Sequence, residues 1–257
     1  MNIKKMTVLV DSQKELLEDI YSMWLSVGIM AEHVKPGQFI SVYSNDKSRL
    51  LPRPISICEV DAKQGTIRLV YRVVGEGTKE FSKLKPGDSV SIMGPLGNGF
   101  ELTKQPAILI AGGIGIPPML ELAKRLDCNK TIFLGYKDAL FLTEEFELYG
   151  KVIIATEDGS SGIKGNVIDA INAEAAAGST GSVIYSCGPT PMLRAVSAYA
   201  KENHITAWIS LEERMACGVG ACLACVCKSY EKDNHTNVNN KRICKDGPVF
   251  NALEVEI

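Results

Sequence analysis

Short apolar runs broken by turn residues dominate the first hundred positions of the chain. Strand-like stretches occur at Met6–Val10, Gln38–Tyr43, Ile55–Val60, Thr66–Val74 and Ser89–Met93, separated by Lys-Pro-Gly at 35–37 and 85–87 and by Gln64-Gly65. Short strands at such regular spacing predict a closed antiparallel barrel or sandwich. One helix, Thr78–Leu84, is expected directly after Gly75-Glu-Gly77. Past Pro106 the rhythm changes. Strand candidates Ala107–Ile110, Thr131–Leu134, Lys151–Ala155 and Val183–Tyr185 are interspersed with helical stretches at Pro117–Leu126, Asn166–Ala177 and Pro189–Asn203. That alternation predicts a doubly wound parallel sheet covered on both faces. Beyond position 211 the chain is rich in cysteine and glycine and poor in apolar residues of its own. The expectation is a multidomain β plus α/β protein: an antiparallel β-barrel over 1–100, an α/β domain over 101–210, and a small lobe over 211–257. Gly94–Phe100 reads as the turn between the first two, and Lys228–Arg242 as a solvated loop.

Composition narrows the function classes. With 257 residues, 46% hydrophobic, 23% charged and a formal net charge of −2, the chain has an ordinary globular make-up. Nothing in it points to nucleic acid or an anionic membrane surface as partner. The uncharged apolar stretch Gln105–Leu120 is interrupted by glycine and proline and is too short to span a bilayer. No apolar signal core follows the first ten residues. Eight cysteines, four of them bunched into 217–227, do not resemble a disulfide framework, so a reducing, cytoplasmic setting is expected.

Those cysteines carry the sharpest chemical signal. Cys217-Gly-Val-Gly-Ala-Cys222-Leu-Ala-Cys225 has the C-x4-C-x2-C spacing of plant-type [2Fe–2S] ligation, and Cys244 returns a fourth thiol. Gly218 and Gly220 suit a loop that must turn repeatedly and aim amides at sulfur. The plainer alternatives are a zinc knuckle or buried structural thiols, but zinc sites more often pair two C-x2-C knuckles. Cys227 competes for the fourth position; Cys244 is preferred, on the expectation that an extended segment would turn Cys225 and Cys227 apart. Cys58, Cys128 and the isolated His33, His204 and His235 are expected to hold no ligand.

Two further constellations lie upstream. Arg53-Pro54-Ile55-Ser56 opens a strand, where an arginine can neutralise a pyrophosphate and a serine can bond the polar edge of a ring. On the next strand Tyr71 should face opposite to Val70 and Arg72, so its aromatic face could meet such a ring. Gly77-Thr78 opens a helix, a place for phosphate or simply for an N-cap. Farther on, Gly112-Gly113-Ile114-Gly115-Ile116-Pro117-Pro118 joins a buried strand to a helix. It departs from the G-x-G-x-x-G fingerprint, because Pro118 takes the last glycine position. Cys187-Gly188-Pro189 ends a later strand, and Cys187 could equally be a small buried hydrophobe. Lys137 and Asp138 leave NAD against NADP open. No Ser/His/Asp or paired-carboxylate arrangement stands out, so no catalytic acid–base residue is assigned.

In this order the pieces resemble the flavin-binding barrel and nucleotide domain of the ferredoxin–NADP reductase superfamily. The resemblance implies FAD at Arg53–Ser56, Val70–Arg72 and Gly77-Thr78. It also implies NAD at Gly112, Gly113 and Gly115, with Cys187-Gly188-Pro189 beside the nicotinamide ring. Arg-Pro-Ile-Ser-Ile at 53–57, Glu212–Cys225 and the ending Cys244-Lys-Asp-Gly-Pro-Val-Phe250 extend the likeness over 4–257, to electron-transfer subunits of NAD-dependent type B dihydroorotate dehydrogenases. That likeness implies an FMN-containing catalytic partner in a heterotetramer with two copies of each subunit, and a place in pyrimidine biosynthesis. Electrons would run from dihydroorotate and FMN through [2Fe–2S] and FAD to NAD. The alternatives are the small flavin and iron–sulfur subunit of a bifurcating transhydrogenase or glutamate-synthase-like reductase, or an iron–sulfur redox sensor. A flavin placed between nicotinamide and cluster is the order the chemistry requires, since hydride moves two electrons and a cluster one.

Overall fold

The structure is a computed structural model, and it describes residues 4–175, 182–232 and 237–257. The predicted barrel is present and closed. Its strands are β1 (Lys4–Leu17), β2 (Ile20–Ser26), β3 (Phe39–Tyr43), β4 (Arg53–Asp61), β5 (Thr66–Arg72) and β6 (Ser89–Leu96). They run β1-β2-β5-β4-β3-β6, antiparallel throughout, and β6 closes back on β1. Alternate residues point inward and fill the barrel with Val8, Leu25, Ile40, Ile57, Leu69, Ile92 and their neighbours, the period-2 pattern that marks these strands in sequence. β2 had no counterpart among the expected strands. Helix α1 (Glu76–Phe81) follows β5, starting two residues earlier than Thr78 and ending at Phe81 rather than Leu84.

The second sheet has β7 (Ala107–Gly112), β8 (Lys130–Tyr136), β9 (Lys151–Thr156), β10 (Ile163–Lys164), β11 (Val183–Cys187) and β12 (Ala207–Ser210), all parallel, in the order β10-β9-β8-β7-β11-β12. Helices α2 (Pro117–Arg125) and α3 (Thr143–Glu147) cover one face, while α4 (Val167–Ala175) and α5 (Thr190–Glu202) cover the other. Strand β7 shows why its sequence is apolar without a break: Ala107, Leu109 and Ala111 face one core, Ile108 and Ile110 the other. The doubly wound arrangement is therefore as expected. The expected end of α4 at Ala177 lies outside the described residues, as does His235.

The cysteine-rich tail is less separate than its composition suggests. Strands β13 (Val226–Lys228) and β14 (Asn240–Arg242) pair as a hairpin, so both ends of the stretch expected to be a solvated loop are ordered. The final strand β15 (Val249–Asn251) adds antiparallel to β12 and extends the second sheet. Among the described residues no helix is long and apolar enough to cross a membrane.

Candidate functional site

The cysteine loop leaves the end of β12 and folds back against the barrel. Gly218 (φ +69°) and Gly220 (φ +82°) take left-handed conformations, and Leu223 is held there too (φ +59°) although it has a side chain. A non-glycine residue in that region carries strain of about 1–2 kcal/mol, and such positions cluster at working sites. Gly218 is also hemmed in: a Cβ there would lie 3.0 Å from Ser41 Oγ and 3.2 Å from Leu96 Cδ1. The loop's amides turn inward. Val219 and Ala221 N–H donate to Cys217 Sγ at 3.4 and 3.3 Å, and Gly220 N–H donates to Cys244 Sγ at 3.1 Å. Cys244 N–H donates to Cys225 Sγ at 3.4 Å.

The four thiols lie as two neighbouring pairs, Cys217 with Cys222 and Cys225 with Cys244. The first pair reaches the surface; the second is buried, each member 2% exposed. Burial pushes the Cys217 thiol up, but the amides of Val219, Cys222 and Ala221 and the Cys222 thiol outweigh it and bring the group down to about 6. Cys244 moves the other way, to about 12, through burial and the neighbouring Cys225 sulfur. An Arg242–Asp246 pair (2.8 and 2.9 Å) braces the return strand, and Arg242 Nη1 also donates to Gly220 O at 3.3 Å. Among the described residues no group of three or more Cys, His, Asp or Glu converges on a single metal ion. The donor set fits a two-iron cluster: four thiols in two pairs, with amides already directed at sulfur.

Cys227 does not belong to the set. Residues two apart on an extended segment share a face, so alternation cannot separate it from Cys225 and that expectation is corrected. What separates them is position. Cys225 precedes β13, whereas Cys227 lies within it, paired with Lys241 and packed on the core. Cys58 is fully buried in the interface between barrel and second sheet, and Cys128 lies beside the same core.

A cleft of about 900 Å³ opens beside this loop. Arg53, Pro54, Ile55, Ser56, Val70, Tyr71, Arg72 and Thr78 all line it, as the resemblance implies for flavin. Gly77 does not, but it supports Arg53 directly: a Cβ at Gly77 would fall 2.6 Å from the guanidinium carbon. Tyr71 reaches the cleft without offering it a free ring. Its ring stacks on Tyr21 (6.1 Å between centroids), meets Phe81 edge-on (6.4 Å), and its hydroxyl donates to Gln13 Oε1 at 3.1 Å. The alternation was right, but the aromatic face turns into the barrel while Val70 and Arg72 turn to the cleft. Thr78 likewise acts locally: at the third helical position, its Oγ1 reaches back to accept from Val74 and Gly75 N–H at 3.0 and 3.3 Å, the N3 half of a capping box.

The opposite wall was not foreseen. It is built from Ser210–Met215 with Ile114 and Pro248. Glu212 is exposed within the cleft, and partial desolvation by the surrounding walls raises its carboxyl above the usual range. In sequence it stands at the head of the Glu212–Cys225 stretch that carries the family likeness, and no role in the cleft was expected of it. Of the nicotinamide set, Gly112, Gly113, Gly115, Cys187, Gly188 and Pro189 do not line the cleft, although Ile114 between them does. The two loops are brought together: a Cβ at Gly115 would sit 2.5 Å from the Cys187 carbonyl and from Gly188 Cα. Cys187 is 1% exposed and burial pushes its thiol strongly upward, so here it is a buried small side chain, held against the glycine loop.

Comparison with known proteins agrees with this layout. The family model for the oxidoreductase FAD-binding domain matches residues 7–100, and that for the iron–sulfur cluster binding domain of dihydroorotate dehydrogenase B matches 212–256. The chain is 43% identical to the dihydroorotate dehydrogenase B (NAD(+)) electron transfer subunit of Fusobacterium nucleatum, over 96% of this chain and 97% of that one. The subunit of the same description from Enterococcus faecalis is 41% identical over 99% of both. Among solved structures, an NADH-dependent reduced ferredoxin–NADP oxidoreductase studied for flavin-based electron bifurcation superposes with a TM-score of 0.88 at 28% identity, covering 97% of this chain and 89% of that one. The ferredoxin reductase in carbazole 1,9a-dioxygenase (TM-score 0.66, 20% identity, 80% of this chain and 67% of that one) shares the fold.

Proposed function

Because the chain belongs to the family of dihydroorotate dehydrogenase B (NAD(+)) electron transfer subunits, we propose that it carries electrons from a catalytic partner subunit to NAD+ by way of one [2Fe–2S] cluster and one FAD. The observation that carries the reading is the meeting, in one polypeptide, of two amide-braced thiol pairs and an arginine-lined cleft. Bound FAD supplies the conversion between hydride, two electrons at once, and the single electrons of a cluster. The chain's own residues bind and orient. Arg53, backed by Gly77, neutralises the pyrophosphate, and Ser56 bonds the ring edge. Cys217, Cys222, Cys225 and Cys244 would hold the cluster, the first two from the exposed side and the last two from the buried side. The amides of Val219, Gly220 and Ala221 stabilise charge on sulfur and so help set the potential. Gly112, Gly113 and Gly115, with Cys187-Gly188-Pro189, form the nicotinamide wall.

The finer expectations belong to the same proposal. The partner holds FMN and the dihydroorotate site, two copies of each subunit assemble, and the complex works in the cytoplasm for pyrimidine synthesis. None of the eight cysteines is paired in a disulfide, which suits a reducing compartment. The barrel, α/β and cluster units span 1–100, 101–210 and 211–257. The kinship to the bifurcating enzyme keeps one other reading in view, in which the partner delivers electrons to ferredoxin. Anaerobic purification with the catalytic subunit, followed by iron, sulfide and flavin analysis and a dihydroorotate:NAD+ assay, tests the proposal. A coloured complex that reduces NAD+ is expected, with no dihydroorotate oxidation by this chain alone. A colourless protein, or dihydroorotate turnover without a partner, refutes it.

A further inference from the structure

Glu121 is a carboxylate with no place in the chemistry described so far, and it is fully buried, its side chain 1% exposed. It lies on α2, the helix that continues the glycine loop 112–116 without a break. Its partners reach across to the barrel. Oε2 accepts from Val60 N–H of β4 at 3.0 Å, and Oε1 accepts from Arg125 Nε of its own helix at 2.6 Å. Lys124 spans the same gap, donating to Glu59 Oε1 at 3.1 Å and to Val60 O at 2.9 Å, with Glu121 Oε2 3.8 Å away.

The backbone explains why β4 offers this docking point. β3 pairs with β4 along Arg53–Ser56 and Ile57 N–H still donates to Gln38 O at 2.9 Å, so only past Ile57 does that edge of β4 have no strand beside it. A bulge between Ile57 and Glu59 then rotates the strand. Val60 N–H faces the open edge, and Glu121 fills the place of the missing neighbour. Removing the carboxylate would leave the Val60 amide without its partner, which is costly for a buried donor. A second strut runs parallel: Arg68 of β5 donates to Glu145 of α3 (3.1 Å from Nη2) as well as to Glu59 (3.3 Å) and Ser22 (2.9 Å).

These contacts tie two rigid elements whose other ends carry the cleft-lining start of β4 and the glycine loop, of which Ile114 reaches the cleft. β4 carries Arg53–Ser56 of the cleft at its start, and α2 carries the glycine loop at its start. Strand and helix each transmit a displacement along their length, because neither can bend locally without losing ladder bonds. We propose that Glu121 is a positioning residue for hydride transfer, fixing the flavin-bearing strand to the helix of the nicotinamide loop so that the two rings meet at reacting distance. The inference rests on the FAD and NAD assignments above.

The test uses the assembled complex and three variants. Glu121→Asp keeps the charge but shortens the reach by one methylene, about 1.5 Å. Glu121→Gln keeps the length and an oxygen for Val60 N–H. Glu121→Ala removes both. Since a misplacement of roughly 1 Å can cost up to ~10²-fold, reduction of bound flavin by saturating NADH should slow about 10- to 100-fold in the Asp and Ala variants, with KM little changed. The long-wavelength charge-transfer absorbance of the flavin–nicotinamide complex should weaken in parallel, and amide exchange at Val60 should quicken. Flavin and iron content per chain should hold, and Glu121→Gln should restore most of the rate and absorbance. Should the Ala variant fail to fold, Glu121→Asp decides alone. Wild-type rate and charge-transfer absorbance per bound flavin in Glu121→Asp overturn the proposal, whatever happens to the melting temperature. If wild-type flavin itself is not reduced by NADH, it is the functional reading that fails, and the two outcomes are distinct.

Discussion

Gly115→Ala is the most direct probe of the wall made by the glycine loop and the Cys-Gly-Pro turn. The added methyl would stand 2.5 Å from the Cys187 carbonyl carbon and oxygen and 2.5 Å from Gly188 Cα, where ordinary contact begins at 3.4 Å. The shortfall is roughly 1 Å, and it is against backbone, which cannot swing aside as a side-chain tip can. Pro117 and Pro118 stiffen the next turn, so the loop must lift as a unit from β11. Overpacking of this kind costs about 1–3 kcal/mol of stability. For a chain of this size that lowers the melting temperature by about 2–4 °C per kcal/mol. The larger effect is on chemistry, because a displacement of about 1 Å at the reacting groups is worth up to ~10²-fold in rate. Anaerobic stopped-flow reduction of bound FAD by NADH should therefore slow roughly 10- to 100-fold. Flavin content, cluster absorbance and dihydroorotate-driven flavin reduction in the complex should stay as they are. A folded Gly115→Ala protein that accepts hydride at the wild-type rate would show that these loops do not hold the nicotinamide. Simultaneous loss of flavin would mean that the loop supports the barrel instead.

Other perturbations separate the remaining parts. Cys217→Ser should abolish most of the cluster's visible absorbance and the transfer from the partner while leaving FAD reduction by NADH within about threefold; equal loss of both would contradict the division of labour. Arg53→Ala removes a charge-assisted phosphate contact worth about 1.5–3 kcal/mol, so FAD affinity should fall roughly 10- to 100-fold, and unchanged flavin after desalting refutes the assignment. Glu80 gives a pH signature. Burial raises its carboxyl, but the Ser44 hydroxyl, the Asn45 amide and Arg49 outweigh that and hold it below the usual 4.5. A depressed carboxyl stabilises the fold above its unfolded value and loses that contribution as pH falls through the folded one. Thermal stability should thus drop more steeply between about pH 5 and pH 3 in the wild type than in Glu80→Gln, and parallel slopes would contradict the pairing.

Much of the architecture was legible because it is written locally. Period-2 burial in the barrel and the unbroken apolar run of β7 name their own environments. Other features depend on partners distant in sequence. Ile20–Ser26 is a strand because it fits between β1 and β5, not because turn residues frame it. Val249–Asn251 is too short to announce itself and becomes a strand only against β12. In the site, the cysteine spacing sufficed to nominate the four thiols, but their division into two pairs needed the turns at Gly218 and Gly220. Tyr71 shows the limit of alternation, which gives two faces without saying which one is the inside. Ser210–Met215 overlaps the matched stretch Glu212–Cys225, but nothing in that match marks a wall, a role that arises because the chain must pass the cleft on its way from β12 to Cys217.

The way β15 closes the second sheet has a practical corollary for anyone wishing to transplant the redox tail. Cutting the polypeptide near Leu211 would not release a spare module. It would strip the outermost row from the border and leave Ala207–Ser210 with bare amides and carbonyls, an invitation to self-association. The severed piece would lose Phe250 from its buried seat and the scaffold that steadies Cys244. Carrier and reductase are stitched by the final dozen residues, and they stand or unfold together.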